Sequence, residues 1–522
     1  MRRSLDLRLG IDVGGTNTDA VVLDREGRLL AKAKVPTSPD VTRGIVAALD
    51  GVLAVIGEQR SRISHVMFGT THATNAILQR RKLRRVAVVR IGGPATYSIR
   101  PLLGWPPELR EAVSAGEVIV DGGSEFDGRE IMPFDADQLA RFLEPLAGRV
   151  EGVAVTSVFA SVSAEHELRA AEVAGAVLGP EVEVSLSHEI GTVGLLEREN
   201  ATVLNATLTP VVQEVNEALE SALGSRQLDA LVFFAQNDGT LMAQEQAARF
   251  PVLTIGSGPA NSIRGAAYLT GIQDAIVVDV GGTSTDIGVL ANGFPRESSS
   301  PIEIGGIRTN FRMPDLISLA LGGGSIVRAE DGRVAIGPQS VGYELSRRAL
   351  VFGGDTPTLT DAAVAAGRAD LGDRDRLAAG DGLLAPALAW ADAALADAVD
   401  RVKLSRAAQP LIVVGGGSIL VPDRVPGASA VHRPEHFDVA NAIGASIAMV
   451  SGQIDRIFHP GRLGSREAML DEARALAREQ AIRAGADPRT VEIVELEELP
   501  LAYLTNPAVR VRAKAAGPLD SG

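Results

Sequence analysis

The octapeptide Asp12-Val-Gly-Gly-Thr-Asn-Thr-Asp19 returns 267 residues later as Asp279-Val-Gly-Gly-Thr-Ser-Thr-Asp286, and nine of the twelve positions in Asp12–Leu23 are identical in Asp279–Leu290. An apolar run precedes each copy, Leu9-Gly10-Ile11 in one and Ala275-Ile276-Val277-Val278 in the other. A repeat this long and this widely separated predicts two related half-molecules, each contributing a strand–turn–strand loop to one shared site. Two ordinary hairpin turns would explain Gly-Gly between apolar runs. They would not explain why the threonines and aspartates are duplicated as well. Paired glycines let backbone N–H groups close on a ligand, threonine hydroxyls add donors, and aspartates can hold a cation against phosphate.

The rest of the composition narrows the class. The chain has 522 residues, enough for two or more packed domains, and 45% hydrophobic with 22% charged residues is ordinary for a globular enzyme. A formal charge of −14 argues against a general nucleic-acid or anionic-membrane binder. Cysteine is absent, which removes disulfides, thiol nucleophiles and cysteine-held metal centres together. The N-terminal segment has basic residues but no apolar signal-peptide core, and no stretch of about 18 apolar residues predicts a membrane span. A soluble cytoplasmic protein is expected.

Strands are predicted around Leu9–Asp24 and Leu29–Val35, at His65–Phe68, Val86–Val89, Val153–Phe159 and Val182–Ser185. Further strands are predicted at Ala230–Phe234, Val252–Ile255, Ile276–Val280 and Leu411–Val414. Helical spacing covers Val41–Ile56 behind a Ser38-Pro39-Asp40 start signal, Ser163–Val177, Gly191–Leu223, the segment from Ala260 through Tyr268, and Ala440–Val450. Residues 92–135, rich in Gly, Pro and Trp, read as an insertion or flap. Alternating strands and helices predict an α/β fold. The division expected is 1–186, 187–455, and a helical, partly flexible tail over 456–522.

Two phosphate-type loops and a late strand ending in Gly415-Gly416-Gly417-Ser418 resemble the phosphate 1, phosphate 2 and adenosine motifs of the acetate and sugar kinase/Hsp70/actin superfamily. That resemblance implies two ribonuclease H-like (actin-like ATPase) domains facing a nucleotide cleft that holds ATP and Mg²⁺. No Gly-x-x-x-x-Gly-Lys-Ser/Thr P-loop occurs. A narrower resemblance lies between the loops. Gly69-Thr70-Thr71-His72-Ala73-Thr74-Asn75-Ala76 is similar to a signature of the hydantoinase A/5-oxoprolinase family. Arg198-Glu199-Asn200-Ala201-Thr202, Gly256-Ser257-Gly258-Pro259, Gly322-Gly323-Gly324-Ser325, Thr358-Leu359-Thr360-Asp361-Ala362 and Ala440-Asn441-Ala442-Ile443-Gly444-Ala445 follow in family order.

The resemblance implies ATP-dependent opening of a small cyclic amide such as a hydantoin or 5-oxoproline. An unstrained lactam is a poor electrophile. Moving the γ-phosphoryl group to the amide oxygen creates a leaving group, after which water adds to the activated carbon. Asp12 and Asp279 are then expected to hold Mg²⁺. Thr16, Thr18, Thr283 and Thr285 are expected to donate to phosphate beside Gly14, Gly15, Gly281 and Gly282, while Asp19 and Asp286 serve the loops or the chemistry. Gly415, Gly416 and Gly417 would pass close to adenine or ribose. Thr70, Thr71, Asn75, Gly323, Gly324, Ser325 and Asp315 are expected near substrate or nucleotide, Asp315 as the base that orients water. A B-type partner subunit or a homo-oligomer is implied too, since larger members continue with another domain. Where many members carry Asp-x-His, this chain has Asp315-Leu316-Ile317, so the departures fall on the substrate side. The alternatives are a small-molecule kinase that releases its phosphorylated product and a nucleotide-driven switch acting on another protein.

Overall fold

A computed structural model describes residues 7–37, 41–191, 193–298, 302–310, 313–330, 333–380, 382–403, 405–458, 465–501 and 508–519. Ser38, Pro39 and Asp40, the start signal proposed for the first helix, lie outside the described residues. Both copies of the repeat form the same hairpin. Leu7–Val13 pairs antiparallel with Asn17–Leu23, and Ala275–Val280 with Thr285–Ala291. The first strand of each pair is almost wholly buried, as expected of a short apolar run with layers on both faces.

Each hairpin opens a sheet with the same strand order. In the first, Leu29–Pro36 continues the antiparallel meander beyond Asn17–Leu23. Ile63–Thr70 and then Leu231–Ala235 extend the sheet on the other side, parallel to Leu7–Val13. In the second, the short strands Phe294–Pro295 and Leu316–Leu319 flank Thr285–Ala291. Gln409–Val414 and Ala428–His432 follow on the far side, parallel to Ala275–Val280. Order 3-2-1-4-5 with only the second strand reversed is the ribonuclease H-like arrangement, present twice. The α/β expectation holds at this level.

The two units meet through a close helix crossing. Helices Ser257–Thr270 and Ala440–Ile447 pack so tightly that a Cβ at Gly265 would collide with the Ala440 carbonyl, and one at Gly444 with the Asn261 carbonyl. Ala442 and Ile443 bury against Val21 of the first unit, while Ala440 joins the core containing Ile263, Val277 and Val414 of the second. Small residues therefore set how near the two sheets stand.

Four expectations need correction. The boundary at 186/187 cuts through the first sheet: Leu231–Ala235 and Leu241–Ala243 belong to it, and a separate parallel sheet built from Val86–Gly93, Ser114–Asp121, Gly152–Ser157 and Glu183–Leu186 lies between. Residues 92–135 supply one of those strands rather than a flap. The segment 456–522, among its described residues, is helical at Arg466–Arg483. Its strands Glu492–Pro500 and Val509–Gly517 extend the first sheet to nine strands through Val450–Phe458. Finally, Val252–Ile255, expected as a strand, lies in a 3-10 turn over Pro251–Thr254, because proline opens the segment and removes a ladder donor. Among the described residues no helix is long and apolar enough to cross a membrane.

Candidate functional site

The hairpin register decides which residues of the repeat share a face. Asp12 stands directly opposite Asp19, and Asp279 opposite Asp286. Directly opposed residues project to the same side of an antiparallel pair. Each loop thus carries two carboxylates on one face, and Gly14 and Gly281 close the turns identically, donating to the Asn17 and Ser284 carbonyls. The two loops face one another: a Cβ on Gly282 would lie 2.8 Å from the Thr16 side chain.

Electrostatics show how close the carboxylates are. Burial, then the charges of Asp19 and Asp279, push the Asp12 carboxyl up to about 7. Burial raises Asp19 to about 6 against the opposing Lys34 ammonium, which sits 2.8 Å from both carboxylate oxygens. Burial likewise raises Asp279, and it lifts Asp286 to about 6. The Asn441 side chain counters the shift on both Asp12 and Asp279, which places it between them. Ser262 donates to Asp279 and to the Asn441 side-chain oxygen. Such a cluster favours a cation. Asp12 Oδ1 is buried without a hydrogen-bond partner, as expected of an oxygen shaped for a ligand. Among the described residues no three His, Cys, Asp or Glu side chains form a ready cage.

A pH dependence follows. A folded-state pKa raised to about 7 means that the folded protein binds the Asp12 proton more tightly than the unfolded chain does, whose carboxyl titrates near 4. That stabilisation is whole below about pH 4 and is lost as pH rises through about 7. In chelating buffer, wild type should therefore lose denaturation resistance relative to Asp12→Asn between about pH 5 and about pH 8, and a divalent cation should restore it at the higher pH. Parallel profiles for the two proteins would contradict the assignment.

Not every duplicated residue faces the cleft. Thr18 is buried, lies 3.4 Å from the Thr37 hydroxyl and packs on Gly44. Thr285 donates to the Leu321 carbonyl at 2.6 Å. Alternation along the strand turns both hydroxyls to the face opposite Asp19 and Asp286, so they brace the loops rather than reach phosphate. Thr16 and Thr283 lie in the turns themselves rather than in the strands.

Gly323 and Gly324 donate backbone N–H groups to the Gly281 and Gly282 carbonyls, 3.0 and 2.7 Å away. Thr360 closes on the Gly323 carbonyl at 2.8 Å, and Ser325 accepts from the Gly322 N–H. These residues seat the second loop. Asp361 completes a capping box with Thr358, which explains the Thr-Leu-Thr-Asp segment structurally. Gly417 donates to the Val280 carbonyl, Gly415 packs on Asp279, and a Cβ on Gly416 would lie 3.5 Å from the Lys34 side chain. The triple-glycine turn thus borders both units.

Thr71 bonds to the Val13 carbonyl through its N–H and its hydroxyl, and Asn75 donates to that hydroxyl at 3.3 Å. Thr70 shares a 2.6 Å hydrogen bond with His72 Nδ1, and its carbonyl accepts from Ser257. Burial lowers the His72 pKa, leaving the ring neutral at pH 7. This turn therefore abuts the first loop and the start of the helix Ser257–Thr270.

Asp315 is not brought here. Leu316 pairs with Gly288, so Asp315 lies one step beyond, about 13 Å along the strand from Thr285 at roughly 3.3 Å per residue. Its carboxylate is held by Arg296 at 2.7 Å, and the same guanidinium nitrogen donates to the Val402 carbonyl. Lys34, Asn261, Ser262 and Asn441 were not assigned from sequence. For Asn261, Ser262 and Asn441 the available signal is their polarity within helices otherwise rich in Gly, Ala and Ser.

Comparison with known proteins supplies the context. A family model described as hydantoinase/oxoprolinase matches residues 198–389, and the model of its N-terminal region matches residues 8–178. The chain is 29% identical to the caprolactamase subunit alpha of Pseudomonas jessenii over 388 residues, 69% of this chain and 54% of that protein. It is 28% identical to the acetophenone carboxylase gamma subunit of Aromatoleum aromaticum over 393 residues, 69% of this chain and 53% of that protein. The chain spans about half the length of these curated relatives. The crystal structure of an ATP-dependent caprolactamase from Pseudomonas jessenii shares the fold, with a TM-score of 0.75 at 23% identity over 98% of this chain and 88% of that one. Two matched regions covering most of the chain, in the order the site requires, place it in the hydantoinase/oxoprolinase family.

Proposed function

We propose that this chain is the ATP-using part of an enzyme that opens a cyclic amide by phosphorylating it, working in the cytoplasm with a B-type partner subunit. The observation that carries the reading is the apposition of two nearly identical loops, with Thr16 against Gly282 and with Asp279 close enough to perturb Asp12. Asp12 and Asp279 hold Mg²⁺, which when bound neutralises charge on the transferring phosphoryl group. Backbone N–H groups of Gly15, Thr16, Gly282 and Thr283, with the Thr16 and Thr283 hydroxyls, orient the phosphates.

Phosphoryl transfer to the amide oxygen removes the conjugation that protects the ring bond. Water added to the activated carbon then expels the ring nitrogen as an amine, and a second water releases phosphate. Similarity to a caprolactamase subunit supports a lactam substrate. Similarity to the acetophenone carboxylase gamma subunit favours a second reading, in which the same activation is spent on a ketone before carboxylation.

The test is ADP release and product identity with a panel of lactams, hydantoins and ketones plus bicarbonate, run with any subunit that co-purifies. Ring-opened amino acid formed together with ADP is expected. Turnover raised only by a ketone with bicarbonate would select the second reading. A stable phosphorylated product would instead make the chain a kinase.

A further inference from the structure

Asn261 is fully buried in the helix Ser257–Thr270, and neither its side-chain oxygen nor its nitrogen has a hydrogen-bond partner. A buried amide left without partners is destabilising, so a polar side chain at this position implies a ligand. Its surroundings show where that ligand sits. A Cβ on Gly69 would collide with Asp12 Oδ1 and lie 2.6 Å from Asn261 Nδ2, so the two unpartnered groups converge beside Gly69, where the absence of a side chain leaves room. The backbone carbonyl of Asn261 lies against Gly444 at the helix crossing, which fixes this turn of the helix. The next residue, Ser262, reaches Asp279 and Asn441. One helix turn therefore addresses both aspartates.

We propose that Asn261 is a positioning residue of the nucleotide site, its amide holding a water of the divalent cation's hydration shell against Asp12 Oδ1. The assignment rests on the Mg-ATP reading above. It adds that the inter-unit helix crossing, and not only the two loops, senses whether the cation is in place. Outer-shell partners of this kind set metal affinity by about 10–100-fold.

Asn261→Leu, similar in shape but unable to bond water, tests it. The readout is Mn²⁺ binding, followed by electron paramagnetic resonance, in the presence of a non-hydrolysable ATP analogue. The variant should bind Mn²⁺ about 10–100-fold more weakly, while its denaturation midpoint in chelating buffer is not lowered. Asn261→Ser, small enough to admit a further water, should fall between wild type and Asn261→Leu and serves if the leucine variant does not fold. Mn²⁺ affinity within about twofold of wild type in folded Asn261→Leu, or in Asn261→Ser where the leucine variant does not fold, would overturn the assignment alone. If wild type itself binds neither Mn²⁺ nor the analogue, the Mg-ATP reading falls, and this assignment falls with it.

Discussion

Asp12→Asn and Asp279→Asn are each expected to lower ATP turnover by a factor on the order of 10²–10³, the usual consequence of removing a charge-stabilising group from a phosphoryl or oxyanion site. Each side chain is the first carboxylate of its hairpin, opposite Asp19 or Asp286, with Asp12 buried and Asp279 partly so. Asparagine keeps the shape and loses the charge. Because Asp12 already carries the repulsion of Asp19 and Asp279, its neutralisation should not weaken the fold in chelating buffer above about pH 7. Steady-state turnover at saturating Mg-ATP, paired with a denaturation curve, separates the two effects. Turnover within about tenfold of wild type in either variant would exclude that aspartate from the site.

Glu199→Ala should be the most damaging of the changes away from the loops. Arg90 and Glu199 form a two-point ion pair at 2.6 and 2.7 Å with side chains 0% and 1% exposed. The glutamate also accepts from the Leu102 N–H, and Arg90 donates to the Ile99 and Arg100 carbonyls. Removing the carboxylate leaves a guanidinium buried and uncompensated, at a cost of about 3–5 kcal/mol. Arg90→Met combined with Glu199→Leu should recover much of the loss, since hydrophobic replacement of a buried pair is often close to neutral. Trp105, whose indole donates to Asn200 next in the chain, gives a fluorescent reporter for this part of the molecule. Its unfolding transition should shift accordingly, and a loss below about 1 kcal/mol would show that water reaches Arg90.

Local pattern made the loops legible. The repeat announces two hairpins, and the register that pairs Asp12 with Asp19 follows from the turn itself, with no help from the rest of the chain. The same register would have turned Thr18 and Thr285 inward, had alternation been applied along the second strand rather than treating the octapeptide as one loop. What could not be read were pairings across hundreds of residues. Leu231–Ala235 and the strands after Val450 complete a sheet begun at Leu7, and nothing local to them specifies that partner. Asp315 was misplaced because a motif position carries no register. Only the pairing of Leu316 with Gly288 shows that it points to the wrong end. Asn261 looked like one polar residue in a small-residue helix, and its significance appears only where that helix meets Gly69 and Asp12.

The central claim is that the two copies of the repeat make one site, not two. Calorimetric titration of the intact protein with a non-hydrolysable ATP analogue and Mg²⁺ tests it most directly. One analogue should bind per chain, and Asp12→Asn, Asp279→Asn and the double variant should all lose Mg²⁺-dependent affinity to a similar extent, since either change disables a shared site. Two analogues per chain in the wild type, with each single variant retaining one, would contradict it.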